Sequence, residues 1–308
     1  MERVIREIRR YKSFLVVSHI NPDGDSICSL LTFGKILDFF GKEGVLYSPH
    51  PVPLRLSFLP EVERIETRLR AEGYEEIVSL DTPLLSRTGE LPKGVLINID
   101  HHPSNSHFGR INWVEPKATA TCELLYYLIR EIGMGISKEV STYLYTGIYT
   151  ETGGFVYPNT KKEIMVIATR LLDYGVDPVE VARRVSSLTV EGIKLLSQVL
   201  QGLEFNDGIA SIYLTKEMQE LFRTPDSQAD DFIKFPLLLN RVKLALFFRE
   251  EKPGLVRVSL RSLGEVDVNR LAQKLGGGGH KTAAGLRLKM DLERAKEEVL
   301  RVAKRFLE

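Results

Sequence analysis

The stretch Val-Leu-Ile-Asn-Ile-Asp-His-His, residues 95–102, is an apolar run that ends abruptly in three polar side chains. Branched aliphatic residues favour a β-strand, and a run that is apolar at nearly every position is typical of a strand covered on both faces of a parallel sheet. In such sheets, ligands bind beyond the carboxyl ends of the strands. We therefore predict that Asp100, His101 and His102 face a binding crevice.

The N-terminal half of the chain repeats this pattern and alternates it with helical spacing of apolar residues. Further strands are predicted at Ser13–His19, Val45–Tyr47 and Ile77–Asp81. Helices are predicted at Ser26–Phe40, Ala120–Ile132, Lys138–Ile148, Lys161–Tyr174 and Pro178–Val185. Regular alternation of strands and helices predicts an α/β fold built on a parallel sheet.

After about Val185 the pattern changes to a mixture of strands and helices. The predicted elements are a connecting helix at Val190–Gln201, strands at Ile209–Leu214, Lys243–Phe248 and Val256–Leu260, and helices at Asp267–Lys274 and Leu292–Leu307. The polar segment Thr224–Asp231 is predicted to be a surface loop. We expect a parallel-sheet domain at residues 1–187, a connecting helix at 188–204, and a smaller mixed-sheet α/β domain at 205–308.

The composition limits the classes of function. The chain has 308 residues, a hydrophobic share of 43% and a formal net charge of +1, so it lacks the basic excess that holds long duplex nucleic acid. Its two cysteines, Cys28 and Cys122, are too few for a disulfide scaffold and are predicted to be small buried side chains. No signal peptide or membrane-spanning run is visible. We expect a cytoplasmic protein without a membrane partner.

Carboxylates and imidazoles follow three of the predicted strands. A lone aspartate at a strand end is usually a turn former or a helix cap, but several at one sheet edge, with no lysine or arginine among them, would repel one another unless cations were bound. Mixed oxygen and imidazole ligands suit Mn²⁺, with Zn²⁺, Fe²⁺ and Co²⁺ as competitors, and pure carboxylate sites favour Mg²⁺. A shared carboxylate could bridge two ions, as in phosphatases and nucleases. The residues concerned are His19, Asp23, Asp25, Asp81, Asp100, His101 and His102.

Taken together, these motifs resemble those of a known family. Residues 19–25 (HINPDGD), Asp81 and residues 100–105 (DHHPSN) resemble the first three motifs of the DHH phosphoesterases. Residues 276–285 (GGGGHKTAAG) resemble the glycine-rich signature of the DHHA1 domain, and residues 259–262 (SLRS) resemble the arginine-bearing strand before it. The resemblance spans nearly the whole chain in the right order. It implies a DHH domain followed by a DHHA1 domain, with the active site in the cleft between them.

The resemblance also implies roles for the residues that match. Asp81 would bridge two ions, His102 would stabilise the phosphoryl oxygens of the substrate, and Asp100 would orient a histidine. Glu151 stands where the fourth family motif has an aspartate, and its longer reach would alter the geometry at the second ion. The implied metal ligands are His19, Asp23, Asp25, Asp81, His101 and Glu151, and catalysis would rest on His102, Asp81 and Asp100.

The implied substrate-binding residues lie in both domains. Exposed backbone N–H groups of consecutive glycines can bind a phosphate, and an arginine or histidine beside them adds charged hydrogen bonds. On its own, such a glycine run is more often a flexible loop. The implied residues are His102, Asn105, Arg261, Ser262, Gly277, Gly278, Gly279 and His280.

The function implied by the resemblance is metal-assisted hydrolysis of a phosphoester. We expect two divalent ions, preferably Mn²⁺ with Co²⁺ or Mg²⁺ as alternatives, and a homodimer. The substrates would be short single-stranded RNA or linear dinucleotides such as pApA and pGpG, cleaved to 5′-mononucleotides, with nucleoside bisphosphates such as 3′-phosphoadenosine 5′-phosphate (pAp) also accepted. Two alternatives remain: a cyclic-dinucleotide phosphodiesterase, and a nucleotide-binding regulatory module whose metal site is degenerate at Glu151.

Overall fold

A six-stranded parallel sheet forms the centre of the first of two units, Met1–Ser187. The computed structural model of the chain describes residues 1–70, 72–92, 94–224 and 226–307. The strands of this sheet are β1 (Ser13–Val17), β2 (Glu43–Tyr47), β3 (Ile65–Glu66), β4 (Glu76–Leu80), β5 (Ile97–Asp100) and β6 (Ile111–Val114). Their spatial order is β3-β2-β1-β4-β5-β6, and all neighbours are parallel. The order therefore reverses between β1 and β4, the position at which open α/β sheets bind ligands.

The predicted parallel sheet is confirmed, and helices pack against it. These helices are α1 (Glu2–Arg10), α2 (Gly24–Phe39), α3 (Thr121–Glu131), α4 (Lys138–Glu151), α5 (Lys162–Asp173) and α6 (Pro178–Val185). Helix α2 is apolar around most of its circumference because it packs against both α3 and α4. Helix α1 was not predicted from the sequence: it is short and rich in charge, and only a narrow stripe with Val4 and Ile8 is buried.

The second unit, Leu188–Glu308, contains a mixed sheet, as predicted. Its strands are β7 (Glu204–Asn206), β8 (Ile209–Leu214), β9 (Leu244–Lys252), β10 (Leu255–Arg261), β11 (Gly278–Gly279) and β12 (Ala283–Leu288). The order is β11-β12-β10-β9-β8-β7, and only β8 and β9 pair in parallel. The helices are α7 (Val190–Gln201), α8 (Lys216–Phe222), α9 (Val268–Lys274) and α10 (Leu292–Lys304).

Alternation along β10 separates two faces of this sheet. Val258 and its neighbours on one face pack against α9 and α10. On the opposite face, Phe247 of β9 shares a core with Leu195 of α7, and the 3₁₀ turn Phe232–Lys234 contacts both β9 and β10. Helix α7, which we expected to be a separate connection, therefore packs within the core of the second unit.

The segment predicted to be a surface loop, Thr224–Asp231, is not one as a whole. Residues 226–229 form a turn of 3₁₀-helix, and Ala229 is completely buried in the core beneath β9. Position 225 lies outside the described residues. The prediction failed because the segment is mostly polar. The few residues in it that the tertiary structure buries form no apolar pattern in the sequence.

Two further predictions concern the whole chain. Cys28 and Cys122 are both free and buried, which confirms their expected role as small core side chains. Within the described part of the chain, no helix combines the length and the apolar character needed to cross a bilayer.

Candidate metal centre

The candidate site lies where β1, β4 and β5 end side by side. Asp81 follows β4, and Asp100, His101 and His102 stand at the end of β5. The loop after β1 carries His19 and two aspartates into α2, whose N-terminus is capped by Asp23 accepting a hydrogen bond from the Ser26 amide at 3.0 Å. Parallel strand ends thus bring together residues that are far apart in sequence, as predicted.

Asp81 belongs to three groups of potential metal ligands, of which one contains Asp100 and His102 and the other two lie on different sides of its carboxylate. Its Oδ2 lies 3.6 Å from His19 Nε2, which is 3.9 Å from Asp23 Oδ2. Its Oδ1 lies 3.5 Å from His101 Nε2, which is 3.9 Å from Asp25 Oδ2. Within each group, all donor atoms lie within 4.8 Å of one another. The two oxygens of one carboxylate therefore face different groups, as a bridging ligand requires.

Asp81 is held firmly by its surroundings. Its backbone has φ 54°, a left-handed conformation that costs a non-glycine residue on the order of 1 kcal/mol. The Asp81 amide donates to Ile99 O at 2.9 Å, and Thr121 Oγ1 donates to Asp81 Oδ1 at 3.0 Å. The strand neighbour and the threonine together fix the direction of the carboxylate.

The N-terminus of α3 binds the second aspartate of the loop. The amides of Thr121 and Cys122 donate to the two oxygens of Asp25 at 2.6 and 2.9 Å. These are amides that the helix leaves unpaired at its N-terminus, and the helix dipole favours a carboxylate there. Gly147 of α4 must lack a side chain, since a Cβ at that position would lie 2.3 Å from Cys122 Sγ.

Burial makes the charged forms of these groups unfavourable in the protein alone. It raises the pKa of Asp25 to about 6. Burial, followed by repulsion from Asp25 and Asp23, raises the pKa of Asp81 well above its usual range. Burial also lowers the pKa of His101 to about 4. Neutral imidazoles beside crowded carboxylates are the donor set that a divalent cation needs, so the residues fit two such ions.

His102 belongs to a hydrogen-bonded chain on the same sheet edge. Its Nδ1 donates to Asp100 Oδ1 at 2.7 Å, and Asn105 Nδ2 donates to Asp100 Oδ2 at 2.6 Å. Burial raises the pKa of Asp100, but the hydrogen bond and the charge of His102 outweigh it and leave that pKa below its usual value. Asn105, predicted to bind substrate, is thus positioned here to support Asp100.

Glu151 occupies a different position from the other predicted ligands. It is the last residue of α4, it is half-buried, and its charge contributes to the raised pKa of Asp81. Among the described residues, the groups of donor atoms within 4.8 Å of one another do not include it. Glu151 therefore lies near the centre, and its role as a ligand stays a prediction.

The sequence argument missed two residues of the centre. Thr121, described above, lies in a small-residue segment without a motif of its own. Arg87 lies in a short 3₁₀-turn, and one of its terminal nitrogens is 3.2 Å from His19 Nδ1. We expected no arginine among the carboxylates. Burial lowers the pKa of His19 and the charge of Arg87 adds to this, while the pKa of Asp23 is lowered, against the effect of burial, mainly by His19 with a smaller contribution from Arg87. No sequence signal points to Arg87, because it comes to the site only through the fold.

In the second unit, Arg261 ends β10 and is half-buried. The hydroxyl of Ser262 donates to Val266 O at 2.5 Å and accepts from the Gly264 amide at 3.4 Å, so it supports its own loop. His280 is half-buried in the turn between β11 and β12, where its amide donates to Ala283 O.

The glycine run is required for close packing of the backbone as well as for the predicted phosphate binding. A Cβ on Gly277 would lie 2.3 Å from Gly285 O, and a Cβ on Gly279 would lie 2.4 Å from Ala283 O. The Gly277 amide donates to Ala272 O at 2.8 Å, and the Gly279 amide donates to Asn269 Oδ1 at 3.0 Å. These two amides serve the fold, so a phosphate-binding role would depend on other groups of the turn, such as His280.

Comparison with known proteins identifies both units. The family model "DHH family, N-terminal domain" matches residues 13–148, and the model "DHHA1 domain" matches residues 231–308. The chain is 35% identical to the bifunctional oligoribonuclease and PAP phosphatase NrnA of Thermus thermophilus, over 95% of this chain and 89% of that protein. It is 29% identical to the protein of the same name in Bacillus subtilis, over 92% and 91%. An exopolyphosphatase-related protein of Bacteroides fragilis superposes with a TM-score of 0.87 at 30% identity, over 99% of this chain and 94% of that one.

Proposed function

This chain belongs to the DHH family of phosphoesterases, and we propose that it hydrolyses short oligoribonucleotides and linear dinucleotides to 5′-mononucleotides. Removal of the 3′-phosphate of pAp would be a second activity of the same site. One structural observation carries the proposal: each oxygen of Asp81 faces its own group of ligands. The names of the Thermus and Bacillus relatives support the choice of substrate.

The residues present would hold two divalent ions, and we propose Mn²⁺. One ion would be held by His19, Asp23 and Asp81, and the other by Asp81, Asp25 and His101. Mixed carboxylate and imidazole donors support this choice over Mg²⁺, which favours oxygen alone. When bound, such ions activate a water molecule and offset the negative charge of the phosphoryl group.

Around this centre, other side chains orient the catalytic groups and stabilise charge on the substrate. His102 is the group we assign to the phosphoryl oxygens. Asp100 accepts from its Nδ1 and stabilises the protonated ring, whose opposite nitrogen, Nε2, then carries the N–H that faces the substrate. Asp100 is in turn fixed by Asn105. A preoriented donor of this kind stabilises charge that develops in the transition state without reorganisation during the reaction.

We assign Arg261 and His280 of the second unit to the terminal phosphate of the substrate. Both carry groups that form charged hydrogen bonds with phosphate oxygens, and both are half-buried. Holding one phosphate at a fixed place while the centre acts on another would favour short substrates. Substitution of Arg261 by Gln should therefore raise KM for pAp and dinucleotides more than it lowers kcat.

The decisive experiment compares Asp81→Ala with a matched control. Purified protein with Mn²⁺ should release mononucleotides from pApA, pGpG and a short RNA, and phosphate from pAp, while cyclic dinucleotides serve as the test of the alternative activity. Asp81→Ala should lower these rates by more than about 100-fold, because both groups lose a ligand. Asp173→Ala, which removes an exposed carboxylate at the end of α5, should leave them unchanged. Full activity of Asp81→Ala, or of wild type after complete chelation, would refute the two-metal proposal.

The expected homodimer and cytoplasmic location remain predictions that rest on the sequence. Analytical ultracentrifugation of the purified chain checks the first, and fractionation of the source cells checks the second. A monomer with full activity would show that the site is complete within one chain.

A further inference from the structure

One arginine of the first unit lies beside the metal centre. Arg87 ends the 3₁₀ turn Leu85–Arg87 that follows β4, and one of its terminal nitrogens is 3.2 Å from His19 Nδ1. A fixed positive charge next to a centre that would hold cations weakens their binding. A residue placed against the needs of metal binding suggests another use at the same site. The chemistry of a guanidinium points to an anion as its partner.

Backbone contacts hold the turn of Arg87 against the loop of the metal centre. The Arg87 carbonyl accepts from the Ile20 amide at 2.7 Å, so the two loops are joined without the guanidinium. Thr88 is completely buried, and its hydroxyl donates to Leu85 O at 2.7 Å and closes the turn. The backbone therefore fixes the place of Arg87, and the turn does not need its side chain.

The short contact between Arg87 and His19 is not a hydrogen bond in the metal-binding state. His19 Nδ1 lies 2.9 Å from Ile20 O, which can only accept, so Nδ1 carries a proton and donates to it. The N–H of the arginine then faces another donor. His19 Nε2 is left with a free lone pair 3.6 Å from Asp81 Oδ2, as a metal ligand requires. Ile20, rather than Arg87, thus sets the tautomer of His19.

The donors of Arg87 are largely unused within the protein. Among the described residues, its acceptor is Ile20 O at 3.5 Å, at the limit of a hydrogen bond, and it forms no ion pair with a carboxylate there. By contrast, Arg64, which is also half-buried, pairs with both Asp38 and Glu61, each at 2.9 Å. A half-buried charge without a counter-ion is unfavourable. The missing anion for Arg87 can come from solution.

Arg87 and His102 lie on different sides of Asp81. His102 Nδ1 is 3.8 Å from Asp81 Oδ1, whereas Arg87 lies against His19, which faces Asp81 Oδ2. The charge of Arg87 also acts on Asp23, which is only half-buried and so marks the open side of the centre. A phosphate that enters from this side would have one cationic group on each flank.

We propose that Arg87 binds a non-bridging oxygen of the phosphate on which the metal centre acts. This inference rests on the proposed function and adds a contact opposite His102 to the same phosphate. An arginine suits this role because its planar group can donate to two phosphate oxygens at once. When it turns toward the phosphate, it gives up only the weak contact with Ile20. Every substrate presents this phosphate, so Arg87 acts alike on pAp, dinucleotides and longer oligomers.

The test is Arg87→Gln, with Arg130→Gln as the matched control. Arg130 is an exposed residue in the last turn of α3, about 14 Å along that helix from Thr121, so the control removes the same charge far from the centre. On Mn²⁺-loaded protein, calorimetry should show inorganic phosphate binding about tenfold more weakly to Arg87→Gln, the value of one charged hydrogen bond. The kcat/KM for pApA and pAp should fall by at least as much. Arg130→Gln should change none of these values.

Affinity for Mn²⁺ distinguishes phosphate binding from support of His19. If Arg87 binds phosphate, Arg87→Gln removes a cation from beside the centre, and the Kd for Mn²⁺ should stay level or decrease. A residue that orients His19 would instead weaken Mn²⁺ binding about 10- to 100-fold when it is lost, and that result overturns the proposal. Arg87→Lys keeps the charge without the planar pair of donors and should recover part of the phosphate affinity.

Phosphate binding needs no catalysis, so this proposal and the proposed activity can fail separately. If wild type hydrolyses no nucleotide but Arg87→Gln still loses phosphate affinity, the activity is wrong and the phosphate contact stands. If wild type hydrolyses pApA and Arg87→Gln keeps the phosphate affinity and kcat/KM of wild type, the activity stands and the role of Arg87 is wrong.

Discussion

The imidazole of His102 donates through Nδ1 to Asp100 at 2.7 Å, and the other oxygen of the same carboxylate accepts from Asn105 at 2.6 Å. Asp100 is fully buried, so it has no water to replace either partner. Both of its oxygens are therefore needed as acceptors. This arrangement keeps a proton on His102 Nδ1 and fixes the orientation of the ring, so its role can be tested by changing Asp100.

Asp100→Asn should lower kcat by about 10- to 100-fold, the usual cost of losing a residue that orients a catalytic or metal-bound histidine. An asparagine offers one acceptor and one NH₂ group. It can keep the hydrogen bond from Asn105 only by turning its NH₂ group toward His102 Nδ1, which must then give up its proton. Steady-state kinetics on pApA with saturating Mn²⁺ measure the effect. Asp173→Asn makes the same change at an exposed position of α5, serves as the control and should keep wild-type kcat. A wild-type kcat for Asp100→Asn would remove Asp100 from the mechanism.

Thr121→Val should weaken metal binding by about 10-fold or more while leaving the fold intact. Valine has the shape of threonine but cannot donate to Asp81 Oδ1, as the Thr121 hydroxyl does at 3.0 Å. Loss of a hydrogen bond that orients a ligand typically costs this much affinity. Calorimetric titration with Mn²⁺ gives the Kd. Thr121→Ser retains the hydroxyl and should bind like wild type, and equal affinity in the valine and serine variants would argue against this positioning role.

Gly147→Ala should destabilise the protein by about 1–3 kcal/mol, the usual cost of overpacking a core. The added Cβ would lie 2.3 Å from Cys122 Sγ and 3.1 Å from Asp25 Oδ1. Thermal and urea denaturation measure the loss. Cys122→Ala in the same chain should restore part of the stability because it removes the sulfur. Gly135→Ala places a methyl group in open space and should have little effect; equal losses at both glycines would contradict the packing argument.

Chelation should lower the melting temperature, and Mn²⁺ should restore it. Without a cation, burial disfavours the charged forms of Asp25 and Asp81, and the charges of neighbouring aspartates add to this, so that the pKa values of both are raised. A ligand that binds only the folded state adds about 2.7 kcal/mol of stability at 100 times its Kd. Differential scanning fluorimetry across a Mn²⁺ series measures the shift. The shift should be reduced strongly in Asp81→Ala and retained in Asp173→Ala, and a shift of the same size in both would place the stabilising ion elsewhere.

Glu151→Asp tests the departure from the family motif. If Glu151 binds the second ion, shortening its side chain by one methylene should change the relative rates with Mn²⁺, Co²⁺ and Mg²⁺. Glu151→Gln keeps the length and removes the charge, and should weaken metal binding if the carboxylate is a ligand. Rates measured across the three metals provide the readout. An unchanged metal profile in both variants would place Glu151 outside the ligand set and leave it a purely electrostatic neighbour of Asp81.

The sequence by itself determined the parallel sheet and the principal groups of the metal centre. Near-continuous apolar runs identified β1, β4 and β5 because strands buried on both faces need apolar residues at every position. Their polar endings identified His19, Asp81 and His101, because parallel strands end at one edge. Strand-like runs such as residues 95–102 are local signals that need no knowledge of distant contacts.

Where the local sequence signal is weak, the conformation of the segment is determined by tertiary contacts. The edge strand β6 is half-polar and only Ile111 in it is buried, and β12 contains small residues that any loop could carry. Helix α7 was predicted to be a connection, but its apolar side packs beneath β9. Such segments take their conformation from their neighbours, which sequence periodicity does not record.

The finer roles in the site also came from the tertiary structure alone. That Asp81 turns its two oxygens toward different groups, that Thr121 holds one of them, and that Arg87 lies against His19 all depend on contacts between elements distant in sequence. Motifs identify the residues of the metal centre because metal binding and catalysis tolerate few residue types at those positions. The direction of each group is set by packing and hydrogen bonds across the fold, and no local pattern of residues encodes those.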